Sequence, residues 1–379
     1  MKIISIQKIR AWRLKYERYF SPLALFIGFI VDNLTLRRID LQAENLVILS
    51  YLFIAGLSIL ILNFYDDKRN LKVSQPYWKS RHSWISRASD KFANFLPFVL
   101  QFAFGGLFSA FVVFYSRSAS LLTSWPFLIF LAAFLIGNEF FRQRYYSRLV
   151  FQISVYFIAI FSYSVSIIPV IVKEIGTMVF IASGFVSIIL IGFFIFLMRK
   201  ILPVRINQSR NLIIASIGSV YVFFNILYFI NVIPPIPLAL KESGIYHNIR
   251  REGNDYIVQL EPAPWYRFFD DFDPVFHWRP GESVYSFSAV FAPTAIKTKI
   301  FHRWLYFNET QVKWLEQSRQ GFSIIGGRDG GYRGYTVNTR IKPGKWRVDV
   351  ITEEGQILGR IKFKIVEASE MPKLRREIR

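Results

Sequence analysis

The sequence predicts a bundle of about seven transmembrane α-helices followed by an all-β, immunoglobulin-like sandwich domain. Of its 379 residues, 53% are hydrophobic, which is more apolar surface than a soluble chain of this size could bury. The apolar runs recur between Ser21 and Val232 and are separated by short basic segments. After Pro234 the pattern changes to an alternation of period two, interrupted by glycines and charged residues, which is typical of short strands.

Seven segments approach the roughly 20 apolar residues that a membrane-spanning helix needs. They are residues 21–36, 46–65, 92–115, 121–137, 149–172, 177–198 and 212–232. Lysines and arginines orient these spans, because cytoplasmic loops carry an excess of both. The N-terminal segment 1–20 and every second loop after it hold 20 of these residues, whereas the intervening loops hold four. This bias predicts a cytoplasmic N-terminus and an extracytoplasmic domain after Val232.

The net charge of +21 does not indicate a nucleic-acid-binding protein, because most of the excess lies in loops between apolar runs. The basic N-terminal segment is expected to lie on the anionic inner leaflet of the membrane. The chain has no cysteine, which excludes disulfides and thiolate metal sites. We expect no cofactor and no metal, because His247, His277 and His302 are scattered without the spacing of metal ligands.

The region after the last span divides into four predicted segments. Residues 233–244 form a linker, stiffened by Pro234, Pro235 and Pro237. Residues 245–282 form a hairpin that turns at 252–254, followed by an aromatic connecting segment. Residues 283–367 form the β-domain, and 368–379 a charged tail.

The strand near the end of the β-domain illustrates its predicted alternation. In "GRIKFKIV" the residues Ile361, Phe363 and Ile365 should face a core. The basic residues between them, Arg360, Lys362 and Lys364, should then face water.

Several motifs occur in the order of a known family: "GFIVDNLTLRRID", "NVIPPIPLALKESGIYH", "VYSFSAVFAPT", "HRW", "GGRDGGYRGYT" and "GKWRVDV" with "GQILGRIKF". The chain thus resembles bacterial polytopic membrane proteins whose C-terminal region is the domain of unknown function 2914. This resemblance implies a multi-pass protein of the bacterial cytoplasmic (inner) membrane with an extracytoplasmic, periplasmic β-domain. It implies no catalytic residue.

The glycine-rich stretch "IIGGRDGGYRGYTV", residues 324–337, has two interpretations. It lacks the lysine of a nucleotide-binding P-loop and is followed by a strand, so a hairpin loop with glycines at positive φ is favoured. The alternative is an anion site formed by Arg328 and Arg333, with Asp329 beside them and glycine amides assisting. The ligand would then be a lipid headgroup or an acidic glycan.

Two further groups of residues are candidates for function. An aromatic strand face with His302 and Trp304 could stack on sugar rings, although Trp304 more simply belongs to the core. Near the outer end of the first span, a polar cluster could be an interfacial ion-pair network or a pocket for an anionic substrate. Its members are Asp32, Arg37, Arg38, Asp40 and Glu44.

These features lead to two hypotheses about function. The first is a non-enzymatic envelope protein whose β-domain binds an anionic lipid headgroup, a glycan or an envelope protein. The alternative is a transporter or membrane enzyme that acts on an anionic lipid or lipid-linked substrate through the polar cluster at Asp32. The first is preferred, because the helices contain no acid–base or nucleophile constellation.

Overall fold

The computed structural model describes residues 30, 42–73, 84–118, 129–130, 133, 145–233, 238–262, 274–292, 296–325, 330–370 and 372–379. The chain divides into two compact units. The first comprises Met1–Phe114, Phe127–Val165 and Ala182–Ile226. The second contains Leu227–Arg379 together with Tyr115–Pro126 and Ser166–Ile181.

Five long helices lie within the described residues. They are α1 (Gln42–Val73), α2 (Trp84–Ser118), α3 (Tyr145–Val172), α4 (Thr177–Ile201) and α5 (Pro203–Phe229). All five are long and apolar enough to cross a membrane. They coincide with five of the seven predicted spans, although α5 begins earlier than predicted. The spans predicted at 21–36 and 121–137 lie largely outside the described residues.

The helical unit packs through aromatic side chains and a few buried polar ones. Phe161 and Phe224 lie with their ring centroids 4.5 Å apart, in a contact between α3 and α5. A polar contact joins α1 to α3, where Asn63 donates to the side-chain oxygen of Gln152 at 3.0 Å. Arg205 of α5 donates to the main-chain oxygen of Asn63 at 3.3 Å. These contacts satisfy polar groups that would be costly to bury alone.

Eleven strands are described in the C-terminal part of the second unit. They are β1 (Ala239–Tyr246), β2 (Asn248–Glu252), β3 (Asp255–Leu260), β4 (Val275–Trp278), β5 (Val284–Phe291), β6 (Lys297–Asn308), β7 (Lys313–Ile325), β8 (Tyr332–Asn338), β9 (Gly344–Thr352), β10 (Ile357–Glu367) and β11 (Arg375–Ile378). They form a central sheet of order β1-β5-β8, a five-stranded sheet of order β4-β10-β9-β6-β7, and a small sheet of order β11-β3-β2.

The central sheet is covered on both faces, because β5 is buried along almost its whole length. On one side Phe287 packs with Tyr256 and Val258 of the small sheet. On the other, Val284 packs with Trp304 and neighbouring residues of the five-stranded sheet. The alternation of the strand side chains therefore builds two cores around one sheet.

The structure confirms a helical region followed by a β-rich domain and corrects details of the prediction. The hairpin predicted at 252–254 is the turn between β2 and β3. The predicted linker 233–244 is too long, since β1 begins at Ala239 and pairs with β5. The predicted tail 368–379 contains β11, which pairs with β3. The five-stranded sheet is mixed, because β4 runs parallel to β10.

One further contact in the second unit involves the connection between α3 and α4. The carboxylate of Glu354, in the turn between β9 and β10, accepts hydrogen bonds from the Thr177 main-chain N–H and hydroxyl, both at 2.6 Å. Gly176 lies so close that a Cβ at this position would collide with the Glu354 carboxylate. Glu354 thus caps the first turn of α4, where a negative charge is favourable.

Candidate anion-binding face

The outward face of the five-stranded sheet is rich in cations because of its strand register. Residues directly opposite each other in an antiparallel pair place their side chains on the same face. Asp349 of β9 lies opposite Arg360 of β10 on one side and Arg303 of β6 on the other. Arg303 in turn lies opposite Arg319 of β7. The register therefore forms a row of three arginines and one aspartate across four strands.

Alternation extends this row into a larger surface, which we call the basic face. Its nine cations are Lys297, Lys299, Arg303, Arg319, Lys345, Arg347, Arg360, Lys362 and Lys364. Asp349 and Glu316 are the acidic residues of the same strands on this face. Three pairs of cations lie directly opposite each other, namely Arg303 with Arg319, Arg347 with Lys362, and Lys345 with Lys364. Like charges in such positions repel each other, which lowers the stability of the sheet except where carboxylates such as Asp349 and Glu309 offset the repulsion.

Asp349 is the centre of the basic face and has no exposed surface. Its Oδ2 accepts a hydrogen bond from Arg303 Nη2 at 2.9 Å and from Arg347 Nη2 at 3.2 Å. The Nε of Arg360 lies 3.4 Å from its Oδ1. Three guanidinium groups thus share one carboxylate, so these four side chains together carry a net positive charge.

Arg347 is the most enclosed of the three arginines, with 14% of its side chain exposed. Burial lowers the pKa of its guanidinium, Asp349 partly reverses this effect, and Arg360 and Arg303 lower that pKa further. Its guanidinium carbon lies 4.8 Å from the ring centroid of Trp314. Arginine remains charged in proteins, so Arg347 keeps its proton. The neighbouring cations therefore repel it and raise the electrostatic energy of the site.

Aromatic rings support other cations of this face. The Arg319 guanidinium lies 4.4 Å from the Phe301 ring centroid, and Lys345 Nζ lies 5.5 Å from that of Phe307. Long cationic side chains on a surface usually lose conformational entropy when they bind a ligand. Here the aromatic rings and Asp349 already restrict the cationic side chains. These side chains therefore lose less conformational entropy when they bind an anion.

The predicted ligand residues His302 and Trp304 lie on the opposite face, in the core between two sheets. Both are fully buried. His302 is 2.8 Å from the Ser288 hydroxyl and 2.9 Å from that of Thr336, and Trp304 donates to Thr336 at 3.2 Å. Burial lowers the pKa of His302 to about 3, so its ring is neutral. The assignment of Trp304 to the core is correct, and sugar stacking on this face is contradicted by its burial.

The glycine-rich stretch is only partly described. Arg328 and Asp329 lie outside the described residues. Arg333 belongs to β8, and its Nη1 donates to Asp255 at 3.2 Å and to the main-chain oxygen of Arg379 at 2.9 Å. This arginine therefore connects β8 to the small sheet. Anion binding at Arg328 and Asp329 stays a prediction.

The polar cluster predicted in the membrane is also largely undescribed, since Asp32, Arg37, Arg38 and Asp40 lie outside the described residues. Glu44 lies in the first turn of α1 with a buried side chain. The predicted cluster therefore stays a prediction. A different polar cluster, of Asn63, Gln152 and Arg205, lies within the described helices.

Two of the three scattered histidines meet at a buried carboxylate. Glu261 Oε1 is 2.8 Å from His247 Nε2, and its Oε2 is 2.6 Å from His277 Nδ1. Burial alone would raise the pKa of the Glu261 carboxyl, but hydrogen bonds from both histidines outweigh it and hold that pKa below its usual value. Among the described residues, no group of three or more His, Cys, Asp or Glu side chains is arranged to hold a metal ion.

The fold and the basic face together define a chain with helices of membrane-spanning length and a β-rich C-terminal domain. Residues 297–365, which run from β6 to β10, match the family described as "Protein of unknown function (DUF2914)". The chain therefore carries this domain at its C-terminal end, as its motifs predicted.

The other comparisons add little. None of the curated proteins matches the chain. A solved structure of a Pseudomonas fluorescens alkylpurine DNA glycosylase, bound to DNA containing an abasic site analog, is 13% identical over 74% of this chain and 80% of that chain. Its TM-score of 0.19 is too low for an argument about fold or function.

Proposed function

We propose that this chain is a multi-pass protein of the bacterial cytoplasmic membrane whose extracytoplasmic β-domain binds an anionic ligand through the basic face. The observation that carries the proposal is the set of three directly opposed cation pairs around the buried Asp349. Like-charge pairs do not stabilise the folded state by themselves. A bound anion that neutralises them would account for their presence on this surface. The ligand classes considered from the sequence are an anionic lipid headgroup, a glycan and an envelope protein, and a negatively charged member of any of them would fit this face.

Two observations support an extracytoplasmic position for the β-domain. The charge bias of the loops predicts that the α3–α4 connection lies on the outer side of the membrane, because Lys173 is its one basic residue. The β9–β10 turn contacts this same connection through Glu354 and Thr177. The proposal further retains seven spans and the immunoglobulin-like character of the domain.

The proposal is tested with the full chain in nanodiscs of neutral lipid. The probe is a fluorescent sulfated dextran, and neutral dextran is the reference. The test variant is Lys362→Gln with Lys364→Gln, because both side chains are exposed and neither contacts Asp349. The matched control is Arg250→Gln with Arg376→Gln, which removes the same charge from exposed positions of the small sheet.

The expected result is salt-sensitive binding of the sulfated probe that falls several-fold in the test variant and is unchanged in the control. Equal loss in both variants would mean a general effect of net charge and would contradict a site on the basic face. Absence of binding to the sulfated probe would also contradict an anion site on the basic face.

The alternative, transport or chemistry on an anionic lipid-linked substrate, depends on residues outside those described. Its test is Asp32→Asn. This variant should abolish transport or turnover of the lipid-linked substrate if the carboxylate belongs to a substrate pocket. If the protein is instead a binding module, Asp32→Asn leaves both abundance and binding of the sulfated probe unchanged.

A further inference from the structure

One edge of the basic face lies beside the first residue of a helix of membrane-spanning length. The Glu354 carboxylate caps α4 at Thr177, and the apolar residues of that helix follow at once. Met178, the next residue, exposes 81% of its surface. The hydrocarbon region of a bilayer around α4 would therefore begin next to the β9–β10 turn.

Two cations of the basic face contact Glu353, the residue before the cap. Arg319 Nη2 donates to the Glu353 main-chain oxygen at 3.0 Å, and Lys299 Nζ lies 3.9 Å from its carboxylate. Both basic side chains are exposed. A single peptide unit separates Glu353 from Glu354, so these cations lie close to the start of α4.

The same edge combines cations with apolar side chains. Lys297 begins β6 and pairs with Ile325, the last residue of β7, which exposes 55% of its surface. Arg319 stands over the ring of Phe301. Cations that bind phosphates, next to apolar groups that enter the interfacial region, are the combination expected of a surface in contact with lipid.

We propose that Lys297, Lys299 and Arg319 bind the headgroup phosphates of anionic lipids in the outer leaflet of the bilayer that α4 crosses. The inference rests on the proposed function and names the ligand for this edge of the basic face. It selects lipid over a glycan or a protein because the edge is continuous, through Glu353 and Glu354, with the end of a membrane-spanning segment. The rest of the face extends away from that end along β9 and β10.

The test uses a reporter at the proposed contact, which is straightforward because the chain has no cysteine. Ser323→Cys places a single thiol opposite Lys299, on an exposed position of β7. Thr310→Cys provides the control at the other end of the β6–β7 hairpin, where Thr310 is also exposed. Each variant is labelled with an environment-sensitive fluorophore in nanodiscs of phosphatidylcholine, with or without phosphatidylglycerol. A nitroxide on the lipid headgroup is the quencher.

The inference predicts quenching of the label at position 323 that increases at least about twofold when phosphatidylglycerol is present. The label at position 310 should remain unquenched in both lipids. In the position-323 background, Lys297→Gln with Lys299→Gln should remove the increase, whereas the small-sheet variant Arg250→Gln with Arg376→Gln should preserve it. Absence of quenching at position 323, or equal quenching at both positions, would overturn the inference.

These outcomes are independent of the dextran experiment. Binding of the sulfated probe without quenching at position 323 would leave the proposed function standing and reject lipid as the ligand of this edge. Quenching at position 323 without any binding of the sulfated probe would support the lipid contact and reject a general anion site on the basic face.

Discussion

The two faces of β6 are built from adjacent residues and have opposite properties. His302 and Trp304 point into the core, where they are fully buried and hydrogen-bonded to Ser288 and Thr336. Arg303, which lies between them, points outward and pairs with Asp349. The residue types that attract attention in a sequence, a histidine and a tryptophan, form the structural face. The face with excess positive charge is formed by arginines and lysines, which in a sequence look like ordinary solvated residues.

Unusual residue types and unusual electrostatics thus need not occur on the same face of a strand. A buried tryptophan stabilises a sheet by the area it removes from water. A cation opposite another cation does the reverse, because the two like charges repel each other. Variants on either side of the five-stranded sheet should therefore separate stability from binding.

The largest expected effect is that of Trp304→Ala, which removes a fully buried side chain from the core face. We expect a loss of about 4 kcal/mol in the free energy of unfolding, measured by urea unfolding of the full chain in detergent. The protein that remains folded should still bind the sulfated dextran. The companion variant is Trp314→Ala, which removes the ring beneath Arg347 on the basic face. It should cost less stability but weaken binding, and the reverse order of stabilities would contradict the assignment of the two faces.

Asp349→Ala should follow, with a loss of about 3 kcal/mol, because three guanidinium groups would lose their common carboxylate. Urea unfolding again measures the change. Added sulfated dextran should recover part of the loss, since it supplies an anion that stabilises the folded state. Asp255→Ala, at the exposed ion pair with Arg333, is the control and should cost well below 1 kcal/mol. Equal losses in the two variants would contradict the central position of Asp349.

The third effect is a pH dependence that originates on the core face. The pKa of His302 is lowered to about 3, below the ordinary value of 6.5 that it has in the unfolded chain. The unfolded chain therefore binds a proton between these two values that the folded chain does not. Stability should fall as the pH decreases from about 6.5 towards 3, with a slope of up to about 1.4 kcal/mol per pH unit.

The measurement compares urea unfolding at several pH values in the wild-type chain and in His302→Gln. Glutamine can keep hydrogen bonds to Ser288 and Thr336 but does not titrate. The variant should thus show a flatter profile between pH 6.5 and 5, a range above the titration of carboxyl groups such as Glu261. Identical slopes in the two proteins would mean that another group causes the acid sensitivity.

The smallest effect is expected on the basic face and has the opposite sign. Lys362→Gln removes one of the two opposed cations at Arg347, so it should raise the free energy of unfolding by about 0.3 kcal/mol. Lys362→Arg keeps the repulsion and should leave stability unchanged. Destabilisation by the glutamine would show that Lys362 stabilises the fold and that its pairing with Arg347 is not unfavourable.

Much of the fold could be predicted because the relevant signals are local. A run such as 177–198 has the length and composition of a membrane span whatever surrounds it, and α4 confirms it. The alternation at Ile361, Phe363 and Ile365 assigned these residues to the core by period alone, and all three are buried. The turn at Gly253 was likewise visible in the sequence.

The basic face could not be predicted from the sequence, because it depends on pairing between distant strands. Arg303 lies 46 residues from Asp349 along the chain, and only the register of β6 with β9 makes them neighbours. The strand motif "KWRVDV" did contain both Arg347 and Asp349 at alternate positions, which is the signal that a common face carries them. The pairing of β11 with β3 could not be predicted for the same reason. The segment 368–379 is short and charged, which in a sequence is typical of a tail.

The cap on α4 has a consequence for how the protein is made. Glu354 lies 177 residues after the amide that it caps, so α4 is synthesised before its partner. Until β9 and β10 have formed, the first turn of this helix lacks the Glu354 carboxylate that completes its hydrogen bonding. The hydrogen bonds at this helix end are therefore complete only after the C-terminal domain has folded.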